Sequence, residues 1–452
     1  MRRPSESTRA RLGKSALGAA FLSAMSLVLA AGCGDGGPSG PPPNGHPTID
    51  QFKGAAQCGT CHPVHYSEWR GSMHAYSFVD PVRTRINDLE MAATGGALGR
   101  FCVGCHSPIG FVTGAADGRT APALLPPIVQ EGVTCEACHM EIGFQPADES
   151  GGHPLIATGS TVFGPFDDAV ETPAHASAQN TIFERSVACM PCHNFVARGA
   201  PLEPTYDEWN GSSYAVRLEC QDCHMQTYTG QAAVGGPIRQ NLTRHDFIGV
   251  DVAMVDFPFR DAQRSGVESL LKNSASLFVE LPAAAAPGET LTVRARVAND
   301  RTGHNLPSGV SFARQMWLEV TVRDDAGGAL YVSGDLDANG DLRDEHSEVD
   351  PGGDPDLKVW TTDVTFEGAE PGITVFVGTG IVGEMIPPEE TRGKDYRVPI
   401  PPGTQGSLHV SVRLLFRGFK PYSLRGAGLD ALLSENPVFE MNRYDGEVSV
   451  SG

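Results

Sequence analysis

Apolar and polar residues alternate with a period of two along several stretches after Asn273. Leu291, Val293, Ala295 and Val297 alternate with Thr292, Arg294 and Arg296. Leu318, Val320 and Val322 alternate with Glu319, Thr321 and Arg323, and Leu408, Val410, Val412 and Leu414 with Ser407, His409, Ser411 and Arg413. Successive side chains of a strand face opposite ways, so this pattern predicts half-buried antiparallel strands, one of them followed by the turn-like Asp325-Ala326-Gly327-Gly328. An all-β, sandwich-like domain is expected over 273–452. Residues 251–272 read as a linker or helix, and 51–250 as a mainly α and loop domain of short elements. At the other end, Arg2, Arg3, Arg9, Arg11 and Lys14 precede an uncharged apolar run from Ser15 to Gly32. That order predicts an export signal; a membrane anchor is the competing reading, because the run could just span a bilayer. Nothing later is apolar for long enough to do so.

The run ends in Leu29-Ala30-Ala31-Gly32-Cys33, which resembles the lipobox of bacterial lipoproteins. The resemblance implies a signal peptide over 1–32, lipidation of Cys33, and anchoring to the outer membrane on its periplasmic or cell-surface face. Residues 33–50 are rich in Gly and Pro and read as a flexible tether. His46 within it reads as solvated. Charged residues make up only 19 %, aromatics 7 %, and there are 53 glycines and 34 prolines, so part of the core is expected to come from something other than side chains. A formal charge of −20 argues against a nucleic-acid partner.

The cysteines supply that something. Ten of the eleven form five Cys-x-x-Cys pairs, each followed at once by His: Cys58/Cys61/His62, Cys102/Cys105/His106, Cys135/Cys138/His139, Cys189/Cys192/His193 and Cys220/Cys223/His224. This spacing lets two thiols bond the two vinyl groups of one porphyrin, with the adjacent His as proximal iron ligand. Zinc sites of four thiolates would use pairs two at a time, need no following His, and leave one pair over. A disulfide framework predicts neither the spacing nor the His, and thioredoxin-like pairs occur singly in an α/β context. Five c-type haems are the expectation.

Each iron has a second face. His46, His65, His74, His153, His175, His245, His304, His346 and His409 lie outside the motifs, so bis-His ligation throughout is available. Met140 and Met225 directly follow proximal histidines, cannot reach the opposite face of the same ring, and read as packing. The stretch Cys58-Gly59-Thr60-Cys61-His62 with Tyr66, Glu68, Trp69, Ser72, His74 and Ala75 resembles the tetrahaem cytochrome c family that accepts electrons from hydroxylamine oxidoreductase. Gly132-Val133-Thr134, Gly164-Pro165 ahead of His175, Cys220-Gln221-Asp222-Cys223-His224-Met225 and His245-Asp246-Phe247-Ile248-Gly249 extend the resemblance over about 57–249. It implies that His74, His175 and His245 are distal ligands on haems other than their sequence neighbours; His153 and His65 are further candidates. This chain differs in carrying a fifth motif, and the family includes a five-coordinate haem, so one open iron is an alternative. An internal repeat bears on this: Tyr66-x-Glu68-Trp69-x-Gly71-Ser72-x-His74-Ala75 recurs as Tyr206-x-Glu208-Trp209-x-Gly211-Ser212-x-Tyr214-Ala215. Tyr214, standing where the first copy has His74, either packs with its hydroxyl paired or guards an open iron.

Two features lie in the C-terminal half. Thr302-Gly303-His304-Asn305-Leu306-Pro307-Ser308-Gly309 looks like a loop of related multihaem cytochromes, and His304 is a distal candidate that would lock the two domains together; a turn His bonded to backbone is the alternative. Asp335, Asp337, Asn339, Asp341 and Asp344 around Gly340 match the start of a calcium loop, but His346 replaces its bidentate Glu; an acidic turn is the alternative. His409, on the polar side of its strand, reads as inert.

An electron relay with redox protein partners and a lipid-bound membrane attachment is the leading expectation, more a carrier than an enzyme. The alternatives are an oxidoreductase acting on a small nitrogen or sulfur compound at one open iron, and a docking sandwich with a redox appendage.

Overall fold

The computed structural model describes residues 47–145, 153–197, 200–365 and 378–451. The signal, the lipidation site Cys33, most of the tether and His46 lie outside the described residues. Up to about residue 250 the chain is a succession of short helices. Several begin with a proline at the first turn, where the missing N–H costs nothing: Pro63–Arg70, Pro81–Ala93, Pro108–Val112 and Pro127–Gln130. Each motif lies on or beside one such helix, as in Phe101–His106, Cys135–His139 and Cys220–His224. Four two-stranded ribbons, which the hydrophobic pattern does not announce, join them; Glu141–Gln145 with His153–Ile156 and Thr227–Gln231 with Ile238–Thr243 are antiparallel examples.

Apolar packing in this half is broken into small groups, such as Phe78, Val103, Ala116 and Val129, or Ala55, Trp69 and Ala75. The C-terminal half has one large core instead. Its seven-stranded sheet runs Ala284–Ala285, Phe439–Val450, Gly406–Arg417, Gln315–Asp324, Lys358–Thr365, Gly380–Glu384, with Ala329–Ser333 also paired to Gln315–Asp324. A three-stranded sheet orders Thr391–Pro399, Thr290–Ala298 and Ser276–Glu280. The alternating apolar residues of both sheets meet in a common core: Leu291, Val293, Ala295 and Val297 from one, and Leu318, Val320, Val322, Leu408, Val410, Val412 and Leu414 from the other. On the outer face of the larger sheet, Glu319 pairs across strands with Arg413 at 2.5 Å. The alternation expected from the sequence is therefore the alternation of burial.

Residues 251–272 belong to both halves. Helix Arg260–Lys272 buries Val267 and Leu271 in the β core, while Gln263 Nε2 donates to the Gly71 carbonyl at 3.1 Å. Asp251 receives a two-pronged pair from Arg314, 2.5 and 2.6 Å, and the same guanidinium donates to the Gly418 carbonyl. Tyr76, buried in the helical half, lies within hydrogen-bond reach of the Met254 amide at 3.3 Å.

Two stability predictions follow from this seam. Asp251→Ala leaves the Arg314 charge buried without its partner and is expected to cost about 3 kcal/mol, read from denaturant unfolding. Asp80 caps helix Pro81–Ala93 by accepting the Val82 amide at 2.9 Å, and burial, opposed by that bond, pushes its carboxyl up to about 6. A raised carboxyl keeps its proton in the native state where the unfolded chain, at 3.8, has lost it; the stability contribution is full below 3.8 and falls as pH rises through about 6. Asp80→Asn should flatten that fall in denaturation midpoints measured between these pH values.

Candidate haem sites

A metal-bound imidazole needs its second ring nitrogen held so that the ring aims correctly. All five motif histidines meet this condition through Nδ1. His62 faces the Ala232 carbonyl at 2.7 Å, His106 that of Ser77 at 3.0 Å, His139 that of Phe163 at 2.7 Å and His224 that of Ile248 at 2.7 Å. His193 instead faces the Glu203 carboxylate at 3.3 Å. The acceptors come from far along the chain, and the ribbon Thr227–Gln231/Ile238–Thr243 and its turn supply the first. In each case Nε2 is left for a metal.

Opposite four of these rings stands a second imidazole. Ring centres are 6.3 Å apart for His62 and His175, 6.1 Å for His139 and His245, 6.4 Å for His193 and His74, and 6.4 Å for His224 and His304. A metal bonded to one nitrogen of each ring at about 2 Å, with roughly 1 Å more to each ring centre, requires a separation of ~6 Å. The second histidines are oriented in the same manner: Nδ1 of His175, His245 and His304 faces the carbonyls of Ala176, Thr243 and Asn305, each at 3.0 Å. Each pairs with a motif remote in sequence.

The other two candidates are used differently. His65 lies 6.4 Å from His62, but its Nε2 is engaged by the Tyr228 hydroxyl at 3.2 Å and its ring packs edge-on against His245. His153 opens a strand and lies against the Phe111 ring at 4.7 Å. His106 is not a member of these four pairs. Tyr214 donates its hydroxyl to the Asp300 carbonyl at 2.8 Å, and His409 pairs with Asp325 at the surface.

Burial sets the protonation. It drives His74 and His245 down to about 3 and His106 and His304 to about 4, so these rings are neutral at pH 7 and offer a lone pair. Burial would lower His193 too, but the Glu203 carboxylate outweighs it and raises it. The thiols of Cys102 and Cys138 are pushed by burial up to about 11 and about 12. Among the described residues no disulfide joins the motif cysteines. Thiols of different motifs lie close enough to shift one another's protonation: Cys58 and Cys135, Cys105 and Cys192, and Cys189 and Cys220. The first motif thus abuts the third, and the fourth abuts both the second and the fifth.

One buried cation makes no direct ion pair among the described residues, although Asp80 and Asp88 act on it through their charge. Arg83 sits with its guanidinium 4.5 Å from the centre of the Phe78 ring, and its Nε and Nη2 atoms are buried without a hydrogen-bond partner. Cys102 and His106 both feel its charge. An unpaired buried charge costs several kcal/mol, and the carboxylates of a porphyrin are anions of the right kind. The thiol pairs, the imidazole geometry and this orphaned guanidinium all fit haem. Arg83 carries no motif and was invisible in the sequence; Glu203 was equally hidden, ten residues beyond the histidine it orients.

The acidic turn is closed by protein partners. Asp335 pairs with Arg343, Asp341 with Arg425, and Asp337 accepts the amides of Asn339 and Asp341 and the Ser347 hydroxyl. Flanking helices are absent among the described residues, and Leu336 bridges Leu342 as in a tight β turn. Calcium at these ligands would have to displace both arginines. The oxygen and nitrogen donors that do converge belong to Asp344, Glu345 and His346.

A family model described as cytochrome c554 and c-prime matches residues 57–140. A pentahaem cytochrome c552 from Thermochromatium tepidum superposes on 89 % of this chain and 100 % of its own, with a TM-score of 0.61 and 19 % identity. A CARDB domain from Pyrococcus furiosus aligns with 39 % of this chain and 87 % of its own at 10 % identity, but its TM-score of 0.17 carries no argument. Curated proteins offer no match. The family match falls on the first three motifs, and the structural match shares the fold of a helix-and-loop region followed by a largely β region.

Gly132, in the segment before the third motif, shows how tightly this packing is set. Its φ is +70°, and a Cβ there would lie 2.5 Å from the His74 carbonyl oxygen and 2.6 Å from Ser77 Oγ. The close approach lets the next amide, Val133, donate to that same carbonyl at 3.0 Å, fixing the turn that carries His74. Gly132→Ala is expected to destabilise by more than about 1 kcal/mol, measured by thermal unfolding of the holoprotein.

Proposed function

We propose that this chain is an exported, lipid-anchored cytochrome that relays electrons through five covalently bound haems, with redox proteins as donor and acceptor. The observation that carries the reading is the set of four imidazole pairs, 6.1–6.4 Å apart, each built on a different motif. On this reading His62/His175, His139/His245, His193/His74 and His224/His304 ligate the first, third, fourth and fifth irons. When bound, each haem supplies a reversible one-electron site. The ten motif cysteines would hold the porphyrins by thioethers, the Nδ1 acceptors keep the rings aimed, and burial lowers His74, His106, His139, His224, His245 and His304 toward the neutral form. Iron with both axial positions filled has no site for substrate, so such haems change redox state and do little else. The thiol contacts favour a branched order, first to third and second to fourth to fifth, with the third and fourth joined near Cys138 and Glu141. Arg83 would neutralise a haem carboxylate near the second motif. The two-sheet body reads as a β-sandwich that carries the distal ligand of the fifth haem, and no calcium is needed to close its acidic turn. A link to hydroxylamine oxidoreductase rests on the sequence resemblance alone.

A second reading keeps the five-coordinate haem that the sequence resemblance implies and places it at the second motif, whose His106 is outside the four imidazole pairs. The second haem would then be open, and an oxidoreductase acting on a small nitrogen or sulfur compound there, fed by the other four, is the alternative. The two readings share their test. The purified holoprotein should show five haems per chain by mass and haemochrome absorbance, which thiol-free denaturation does not release. Electron paramagnetic resonance should show four low-spin bis-imidazole haems. An entirely low-spin spectrum removes the open-iron reading. A high-spin fraction of one in five, lost on nitrite or hydroxylamine addition with turnover, supports it, and bare thiols in the mass spectrum would end both.

A further inference from the structure

The repeated segments around Trp69 and Trp209 build the same arrangement twice. Trp69 Nε1 donates to the Val133 carbonyl at 2.8 Å, two residues before Cys135; Trp209 Nε1 donates to the Leu218 carbonyl at 3.0 Å, two residues before Cys220. Glu131 accepts the Ala55 amide at 2.9 Å, three residues before Cys58; Glu219 accepts the Ser186 amide at 2.7 Å, three residues before Cys189. The thiol contacts obey the same pairing, Cys58 with Cys135 and Cys189 with Cys220. The first and third motifs thus form one unit, and the fourth and fifth form its copy.

The glutamate is repeated as well, and both copies grip a loop that delivers an imidazole. Glu68 accepts the His245 backbone amide at 2.9 Å, while its other oxygen pairs with Arg244. Glu208 accepts the Asn305 amide at 3.1 Å, the Asn305 side-chain amide at 2.7 Å and the Ser308 hydroxyl at 2.6 Å, all next to His304. His245 faces the third-motif His139 and His304 faces the fifth-motif His224, which occupy equivalent places in the two units. The loops themselves are unrelated: one ends the ribbon strand Ile238–Thr243 and the other belongs to the β body. The segment around Gly303 packs on the same repeat, where a Cβ would meet Tyr214 and Trp209 within 3.1 Å.

We infer that Glu68 and Glu208 are positioning residues with one duplicated task, clamping the loops that present the distal imidazoles of the third and fifth haems. Glu208 is the sharper case, because it reaches across from the helical half to a loop of the β body and so controls whether the fifth iron is closed. The same symmetry explains Tyr214. His74 of the first unit faces the fourth-motif His193 of the second; its counterpart would serve a further unit, for which the chain has no motif, and Tyr214 bonds to the β body instead.

This inference rests on the axial pairings proposed above, and the test separates the two. In full-length holoprotein, Glu208→Ala should add one high-spin ferric haem per chain over the unsubstituted protein, with matching carbon monoxide binding when reduced, while all five haems stay attached. Glu208→Gln, which keeps the acceptor oxygen, should stay low-spin, and Glu68→Ala should act likewise at the third haem. His304→Ala is the reference. If it adds no high-spin haem, the pairing itself is wrong and the clamp has no object. If it does and Glu208→Ala leaves the spectra unchanged, the clamp is refuted. Should Glu208→Ala lose haem, Asn305→Ala removes the other end of the same contact and is read by the same signals.

Discussion

The imidazole hydrogen bond from Nδ1 to a fixed acceptor is the constraint on which the rest of this molecule depends. A histidine ring turns about its bond to Cβ unless its second nitrogen is engaged, and a ring that turns cannot hold a metal on a fixed axis. Here four motif histidines are fixed by main-chain carbonyls and the fifth by a carboxylate. Those acceptors lie in ribbons and loops with little apolar core of their own. Their irregular course is therefore explained less by side-chain packing than by the need to bring a carbonyl to each ring.

That need explains the contrast between the two halves. The β body buries alternating side chains of two sheets in one continuous core. The helical half divides its apolar residues among small clusters, with imidazoles and thiols between them. A region so poor in contiguous core gains from a large apolar group bonded inside it, and the orphaned Arg83 shows where an anion is missing as well. The seam between the halves combines polar contacts, the Arg314–Asp251 pair and those of Glu208 to the loop of His304, with two apolar clusters, Val82 against Leu424 and Leu432 and Leu202 against Val364.

The internal duplication gives the haem half its logic. Two copies of a tryptophan and glutamate pattern seat two equivalent motif pairs, and the histidine of the first copy crosses to the second. The second motif stands outside this scheme, inserted between the members of the first unit and joined to the fourth through Cys105 and Cys192. It is also the motif whose histidine lies outside the four imidazole pairs, and the one beside which Arg83 lies.

The candidate chemistry was legible in the chain: thiols separated by two residues with a histidine next in line are local, and local spacing survives any fold. The strands at Leu291–Val297, Leu318–Val322 and Leu408–Leu414 were legible too, because period-two burial is written directly into side-chain order. What the sequence left open was every relation across distance. It proposed six second histidines without partners; the tertiary structure set His175, His245, His74 and His304 opposite particular motifs and engaged His65 with Tyr228. Nor could it reveal that Glu203 orients His193 or that Arg83 is stranded, since neither residue bears a pattern. A ligand sphere closes between segments a hundred residues apart, and only the folded chain determines which of them meet.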